Sequence, residues 1–196
     1  LRSEGLLLRR INIRQVEGQG FQKISENDFK SFKKKVREEI DRPLLEEIFP
    51  IGSELSKIWW ESQGDRIRRP EQVEEPLYRS SSIHGKSGIT FGRQIGAYPI
   101  LVGVPYLIPL ETSSNIIVTG HGMRSISGVE IGLDINSVSQ QQLESIPGIG
   151  KKAAWRIISS RAKASRSSKI PFNSVEMAFE MAQVDLSPIA EKVLSI

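Results

Sequence analysis

The sequence predicts an α+β fold: an N-terminal strand and helices, a small β-barrel-like middle region, and an all-α C-terminal domain of tandem helix-hairpin-helix units. Three observations lead there. Residues 26–41 place apolar side chains at helical spacing. Residues 89–129 hold short apolar runs interrupted every few positions by Gly or Pro. Residues 139–163 contain a helix start, a proline stop, a glycine pair and a second helix start in close succession.

At 196 residues the chain has room for one large domain or two small ones, and its 38% hydrophobic and 26% charged content is that of a soluble globular protein. The net charge of +4 is a weak global signal for nucleic acid, so the local distribution matters more. There is no cysteine, which excludes disulfides, thiolate metal sites, iron–sulfur ligation and cysteine nucleophiles from this chain. His84 and His121 are the only histidines, too few for a histidine-based zinc site, and no metal site is expected. The longest apolar stretch, around Ile100 to Leu110, is broken by Gly103, Pro105 and Pro109 and cannot span a membrane as a helix. No signal peptide is visible, and a cytoplasmic location is expected by default. The chain opens on Leu1 rather than Met and runs at once into structured-looking sequence, so it reads as part of something longer.

Leu6 to Val16 reads as a strand, with Arg10, Asn12 and Arg14 alternating with Ile11 and Ile13. Its arginines suit either an anion or a charge-blunted sheet edge. A helix follows over Glu26–Asp41, with Phe29, Phe32, Val36 and Ile40 as its core stripe. Lys33, Lys34, Lys35 and Arg37 interleave with that stripe, and a solvated face is favoured over a phosphate patch. Pro43 ends that helix or starts the next, and Leu44, Leu45 and Ile48 extend an apolar face. Ser53–Glu61, carrying Leu55, Ile58 and Trp59, reads as a third short helix. Residues 63–88 hold two prolines and many charges without periodicity, the character of a linker or mobile loop.

In the β region, Tyr98–Val104, Asn115–Thr119 and Arg124–Val129 read as strands, and a small barrel is the natural closure. Gly120-His121-Gly122-Met123-Arg124 and Phe91-Gly92-Arg93-Gln94 read as glycine turns before they read as sites.

The most informative stretch begins at Ser139. Ser139 with Gln142 forms a capping box, and Val138 with Leu143 the matching hydrophobic staple. Pro147 stops the helix. Gly148-Ile149-Gly150 makes a hairpin that Ile149 plugs, and a second helix runs from Lys151 to about Lys163 with Ala154, Ile157 and Ile158 inward. Free amides at a helix start beside glycines form a ready phosphate site. Over residues 139–170 seven cations, Lys151, Lys152, Arg156, Arg161, Lys163, Arg166 and Lys169, face Glu144 alone, a local charge of +6. Non-sequence-specific contact with a nucleic-acid backbone follows as the expectation, carried by Gly148, Ile149, Gly150, Lys151, Lys152 and Arg156. A second unit repeats the box and staple 34 residues on, at Phe172-Asn173 and Glu176-Met177. Its hairpin, near Val184 to Pro188, lacks the glycines and carries Asp185, so it reads as structural.

Residues 134–163 with Pro171-Phe172 resemble the tandem helix-hairpin-helix pair of bacterial DNA-uptake receptors. In that family the hairpin glycines and the basic residues after them contact DNA phosphates. Gly148, Gly150, Lys151 and Lys152 match those positions, and the second hairpin does not. The rest of the chain also resembles a family. Leu7 to Val16, Lys35-Val36-Arg37, and Thr90 to Gly96 with Tyr98-Pro99 look like the C-terminal part of archaeal radical-SAM proteins that end in a helix-hairpin-helix. The resemblance implies that residues 1–20 are the terminal strand of an upstream partial barrel. Residues 21–62 then form a helical segment, 63–88 a linker, 89–132 the β region and 133–196 the helix-hairpin-helix domain. It also implies a [4Fe–4S] cluster and S-adenosylmethionine for the longer parent, with the upstream radical-SAM domain as an intramolecular partner. This chain holds no complete active site, and no catalytic residue is assigned in it. Two alternatives stay open: an interaction module whose hairpin docks a protein, and a self-contained enzyme using His121 or Arg124.

Overall fold

A computed structural model describes residues 11–16, 24–65, 88–96, 99–166 and 170–196. The architecture is α+β: an N-terminal helical arm, a five-stranded closed barrel, and C-terminal helices.

Helix α1 spans Glu26–Val36 and starts at Ser25, whose hydroxyl accepts the Asp28 amide. Acids in its first turn and lysines in its last follow the helix dipole. A π-helical turn, Arg37–Asp41, joins it to α2, Arg42–Ile48. Pro43 explains the wide turn. It has no amide, and its ring would strike the carbonyl four residues back in a regular helix, so the Arg42 amide bonds five residues back, to Arg37. The expected core stripe on α1 is not one. No α1 residue is buried, and Phe32 is 50% exposed. The buried contacts come from α2 instead, through Leu44, Leu45 and the following Phe49. The lysines of α1 behave as a solvated face: Lys30, Lys34 and Lys35 pair with Glu26, Glu38 and Glu39 one turn away, and Lys33 lies over the Phe29 ring.

The predicted short helix over 53–61 is a strand. β1 runs Glu54–Asp65 and pairs with both β2 and β4. A bulge at Ser56-Lys57 misled the periodicity. Lys57 takes φ 56°, and the register slips between Leu55 and Ile58. Two inward residues therefore stand three apart, as on a helix. Beyond the bulge the period returns to two: Ile58 and Trp60 are buried and Trp59 is exposed. Residues 63–65 and Gly88, expected in a linker, thus belong to strands. The expected linker between them lies outside the described residues, as does His84. Residues 11–16 are not in a strand, and the remainder of the predicted N-terminal strand also lies outside the described residues.

The other barrel strands are β2 Gly88–Gln94, β3 Leu101–Val104, β4 Ser113–His121 and β5 Ser125–Glu130. Their order is β1-β2-β3-β5-β4, closed by β4 on β1 and with β3 parallel to β5, a Greek-key barrel. Gly92 faces inward, where a methyl group would meet the Trp59 carbonyl at 2.5 Å and the Trp60 ring at 2.7 Å. Thr90, fully buried, donates to the Tyr106 carbonyl and accepts the Ile108 amide, so its hydroxyl costs little in the core. The barrel floor and the C-terminal helices share one continuous apolar core.

The C-terminal domain holds α3 Gln140–Glu144, α4 Lys151–Ala164, α5 Val175–Ala182 and α6 Pro188–Val193. A short parallel pair, β6 Leu133–Asp134 with β7 Leu194–Ser195, ties its last residues to its first. The side chain of Gln141 donates to the Pro105 carbonyl of the barrel, and Gly52 lies against Ile189.

Candidate nucleic-acid interface

The first unit forms as its residues dictate. The Ser139 hydroxyl accepts the Gln142 amide at 3.2 Å, and the Gln142 side chain accepts the Ser139 amide at 2.9 Å, closing the capping box. Val138 and Leu143 are both buried. The hairpin follows Pro147. Gly148 takes φ +93°, a conformation that an L side chain rarely adopts, and Ile149 is buried as the plug. Gly150 then stands at the N-cap of α4, exposed, with Lys151 and Lys152 exposed after it.

Gly150 differs from Gly148 in what the fold asks of it. Its φ of −83° and ψ of 174° suit any residue, and a methyl group there would meet nothing within 4 Å. Helices α1, α3, α5 and α6 each begin at a serine whose hydroxyl accepts one of the helix's own amides: Ser25, Ser139, Ser174 and Ser187. At α4 no side chain does so, and its first turn holds no acid. The free amides and the positive end of a fourteen-residue helix therefore open to solvent beside two lysines.

The other cations divide. Arg156 is exposed and reaches the Gln183 carbonyl at the end of α5 at 3.4 Å, a long bond. Arg161 is a clamp inside the domain, donating to the Ile135 carbonyl at 3.2 Å and the Val138 carbonyl at 2.8 Å. Burial pushes its guanidinium below the ordinary value, and Asp134 acts in the opposite direction. Lys163 and Arg166 are exposed, and Lys169 lies outside the described residues.

The second unit is capped by Ser174 rather than Asn173, so the repeat of caps is one residue longer than the sequence pattern suggested. The Asn136 side chain fixes its entry, donating to the Phe172 carbonyl and accepting the Phe172 amide. Its hairpin turns at Gln183, at φ 54°, and ends at Ser187, which packs against Gly148. The two hairpins therefore lie side by side. At the second, the Ser187 hydroxyl takes the Ala190 amide at 3.2 Å and Pro188 contributes no amide.

His121 and Arg124, the residues on which an enzymatic reading would rest, both hold the fold. The His121 Nε2 is 2.6 Å from the Phe49 carbonyl. Arg124 pairs with the fully buried Asp41 at 2.9 Å and donates to the Ile11 carbonyl, while Asp41 also accepts the Ile11 amide. Among the described residues no three His, Asp or Glu side chains gather as a metal site, and no helix is long and apolar enough to cross a membrane. Without cysteine, the chain offers no thiolate to an iron–sulfur cluster.

Sequence reasoning passed over one surface residue. Trp155, one turn beyond Lys151, is 63% exposed, and no other large apolar side chain among the described residues is as open. The signal was present: Trp155 falls outside the inward set of Ala154, Ile157 and Ile158.

No protein-family model matches the chain, and no solved structure matches it. Over 162 residues, 77% of its length, it is 35% identical to a protein of Archaeoglobus fulgidus that carries the name "Uncharacterized protein". Over 135 residues, 63% of its length, it is 33% identical to "Uncharacterized protein MJ0274" of Methanocaldococcus jannaschii. The chain spans 26% of the first relative and 21% of the second, so it is similar to one part of two much longer archaeal proteins.

Proposed function

We propose that this chain is a non-catalytic, nucleic-acid-binding portion of a longer protein, gripping the phosphate backbone without reading sequence. Gly148, Ile149 and Gly150 shape the grip, the first amides of α4 donate to the phosphate, and Lys151 and Lys152 flank it, with Arg156 one turn above. One observation carries this reading: the bare N-cap at Gly150. The fold does not need glycine there, and the other helix starts that no helix precedes each use a serine to cap themselves. A helix start left open between lysines favours an anion from outside the chain. The Greek-key barrel is an architecture used elsewhere to bind oligonucleotides and oligosaccharides, an analogy of fold rather than of site. For the longer protein, the resemblance to radical-SAM proteins supports an iron–sulfur and S-adenosylmethionine enzyme whose chemistry lies outside this chain. Iron and sulfide content of the full-length protein tests that part.

The hairpin is tested by Gly150→Asp. An aspartate caps the helix and puts a negative charge where the phosphate sits, so stability holds or rises slightly while binding falls. Hydrogen bonds to charged groups contribute about 1.5–3 kcal/mol, so labelled DNA and RNA should bind about tenfold more weakly or worse at low salt. Lys151→Gln should flatten the salt dependence of binding by about one phosphate contact, a slope change of ~0.7–0.9. If Gly150→Asp binds as the parent does, the hairpin is not the phosphate site. If the parent binds no nucleic acid even at low salt, a docked protein becomes the better account.

A further inference from the structure

The structure offers two features beyond the proposed phosphate contact: one open tryptophan, and a second hairpin whose helix start is capped by its own serine. We infer that Trp155 stacks on a nucleobase, and that the ligand of this domain is nucleic acid with unpaired bases rather than a regular duplex. This rests on the phosphate reading of the hairpin and narrows its substrate class.

Trp155 lies four residues past Lys151 and three past Lys152 on α4. At about 100° per residue its side chain leaves the helix between those of the two lysines, ~40° from one and ~60° from the other. It stands about 6 Å further along the axis than Lys151, one turn above the phosphate grip. Ile157, ~160° round the helix from Trp155, holds the opposite, buried side. Toward the helix start the open indole therefore has two cations beside it, and the partly buried Ile158 follows one turn on. An apolar protein surface would leave those ammonium groups desolvated without partners. A nucleic-acid strand satisfies both at once, with phosphates for the lysines and a flat base for the ring.

The second hairpin decides between one strand and two. Two units set side by side could each hold one backbone of a duplex. Here the second unit keeps at most the Ile189 amide for a ligand: the Ser187 hydroxyl takes the Ala190 amide, Pro188 has none to give, and exposed Asp185 adds a negative charge. Only one backbone is gripped. A duplex gains nothing from the second unit, and its bases are already stacked on each other and closed to Trp155. A single strand offers a backbone and free base faces together.

The test is fluorescence anisotropy on this chain with three ligands of equal length: a single-stranded oligonucleotide, the same sequence as a blunt duplex, and an abasic strand that keeps the phosphates and lacks the bases. The variants are Trp155→Ala, Trp155→Phe and Lys151→Glu, each checked by thermal melting. The parent is expected to prefer the single strand. Trp155→Ala should lose about fivefold or more on that ligand alone, bringing it to the level of the abasic strand. Trp155→Phe should keep most of the affinity, and Lys151→Glu should weaken all three. A Trp155→Ala protein that binds the single strand as the parent does overturns the stacking role while leaving the phosphate reading intact. So does a parent that binds the duplex or the abasic strand as tightly as the single strand. If the parent binds none of the three, the phosphate reading itself has failed, and the stacking role fails with it.

Discussion

Gly148 and Gly150 stand two residues apart in one hairpin, and the fold asks different things of them. At φ +93° Gly148 is held where a Cβ collides with its own backbone. Gly148→Ala should destabilise the domain by about 1 kcal/mol or more. Gly150→Ser meets no strain and no neighbour and supplies a capping hydroxyl, so its stability should equal or slightly exceed that of the parent. Urea denaturation of the pair separates the two roles. Equal losses at both sites would mean that Gly150 is also structural, and the strongest support for an external ligand would go. Both glycines were visible in the sequence. Which of them the backbone required was not, because that depends on a dihedral angle and on empty space.

Between elements, the tie that matters most is the ion pair of Asp41 and Arg124. Asp41 leaves the π-helical turn fully buried, and Arg124 reaches it from the loop between β4 and β5. Together they hold both the amide and the carbonyl of Ile11. Ile11, which lies in no strand, is thereby fastened to the barrel. Arg124→Leu strands a buried carboxylate and should cost about 3–5 kcal/mol in chemical denaturation. Adding Asp41→Leu should recover much of that loss, since the apolar pair leaves no buried charge. A loss under about 1 kcal/mol for Arg124→Leu would show that the pair does not hold the arm. In sequence, Asp41 looked like the end of a helix and Arg124 like part of a glycine turn. They are 83 positions apart, and no local pattern links them.

Among the described residues, barrel and helical domain share one core, so the hairpin proposed to grip phosphate is mounted on the barrel. The chain is similar to about a quarter of a longer archaeal protein and contains no cysteine. Any iron–sulfur chemistry of the full-length protein must therefore be held by residues outside it. The expectation is iron and acid-labile sulfide in anaerobically purified full-length protein, and neither in this chain expressed by itself. A full-length protein free of both would remove the radical-SAM reading and leave the nucleic-acid reading standing, since the two rest on different residues.

The helix-hairpin-helix unit was legible in the sequence because its determinants are local. A capping serine, a stopping proline and a glycine at positive φ act on their immediate neighbours, and Ser139, Pro147 and Gly148 all do so in the structure. Where the determinants are long-range, the sequence misled. The bulge at Lys57 makes β1 look helical because only its pairing with β4 reveals the slip. The stripe on α1 looks like core because periodicity shows that a face is apolar and never whether anything covers it. Tertiary structure alone separated the six cations among the described residues into those that clamp the fold, such as Arg161, and those that stay open, such as Lys151 and Lys152. The physical reason is desolvation: a charge works on the outside world only where the packing of the rest of the chain leaves it in water.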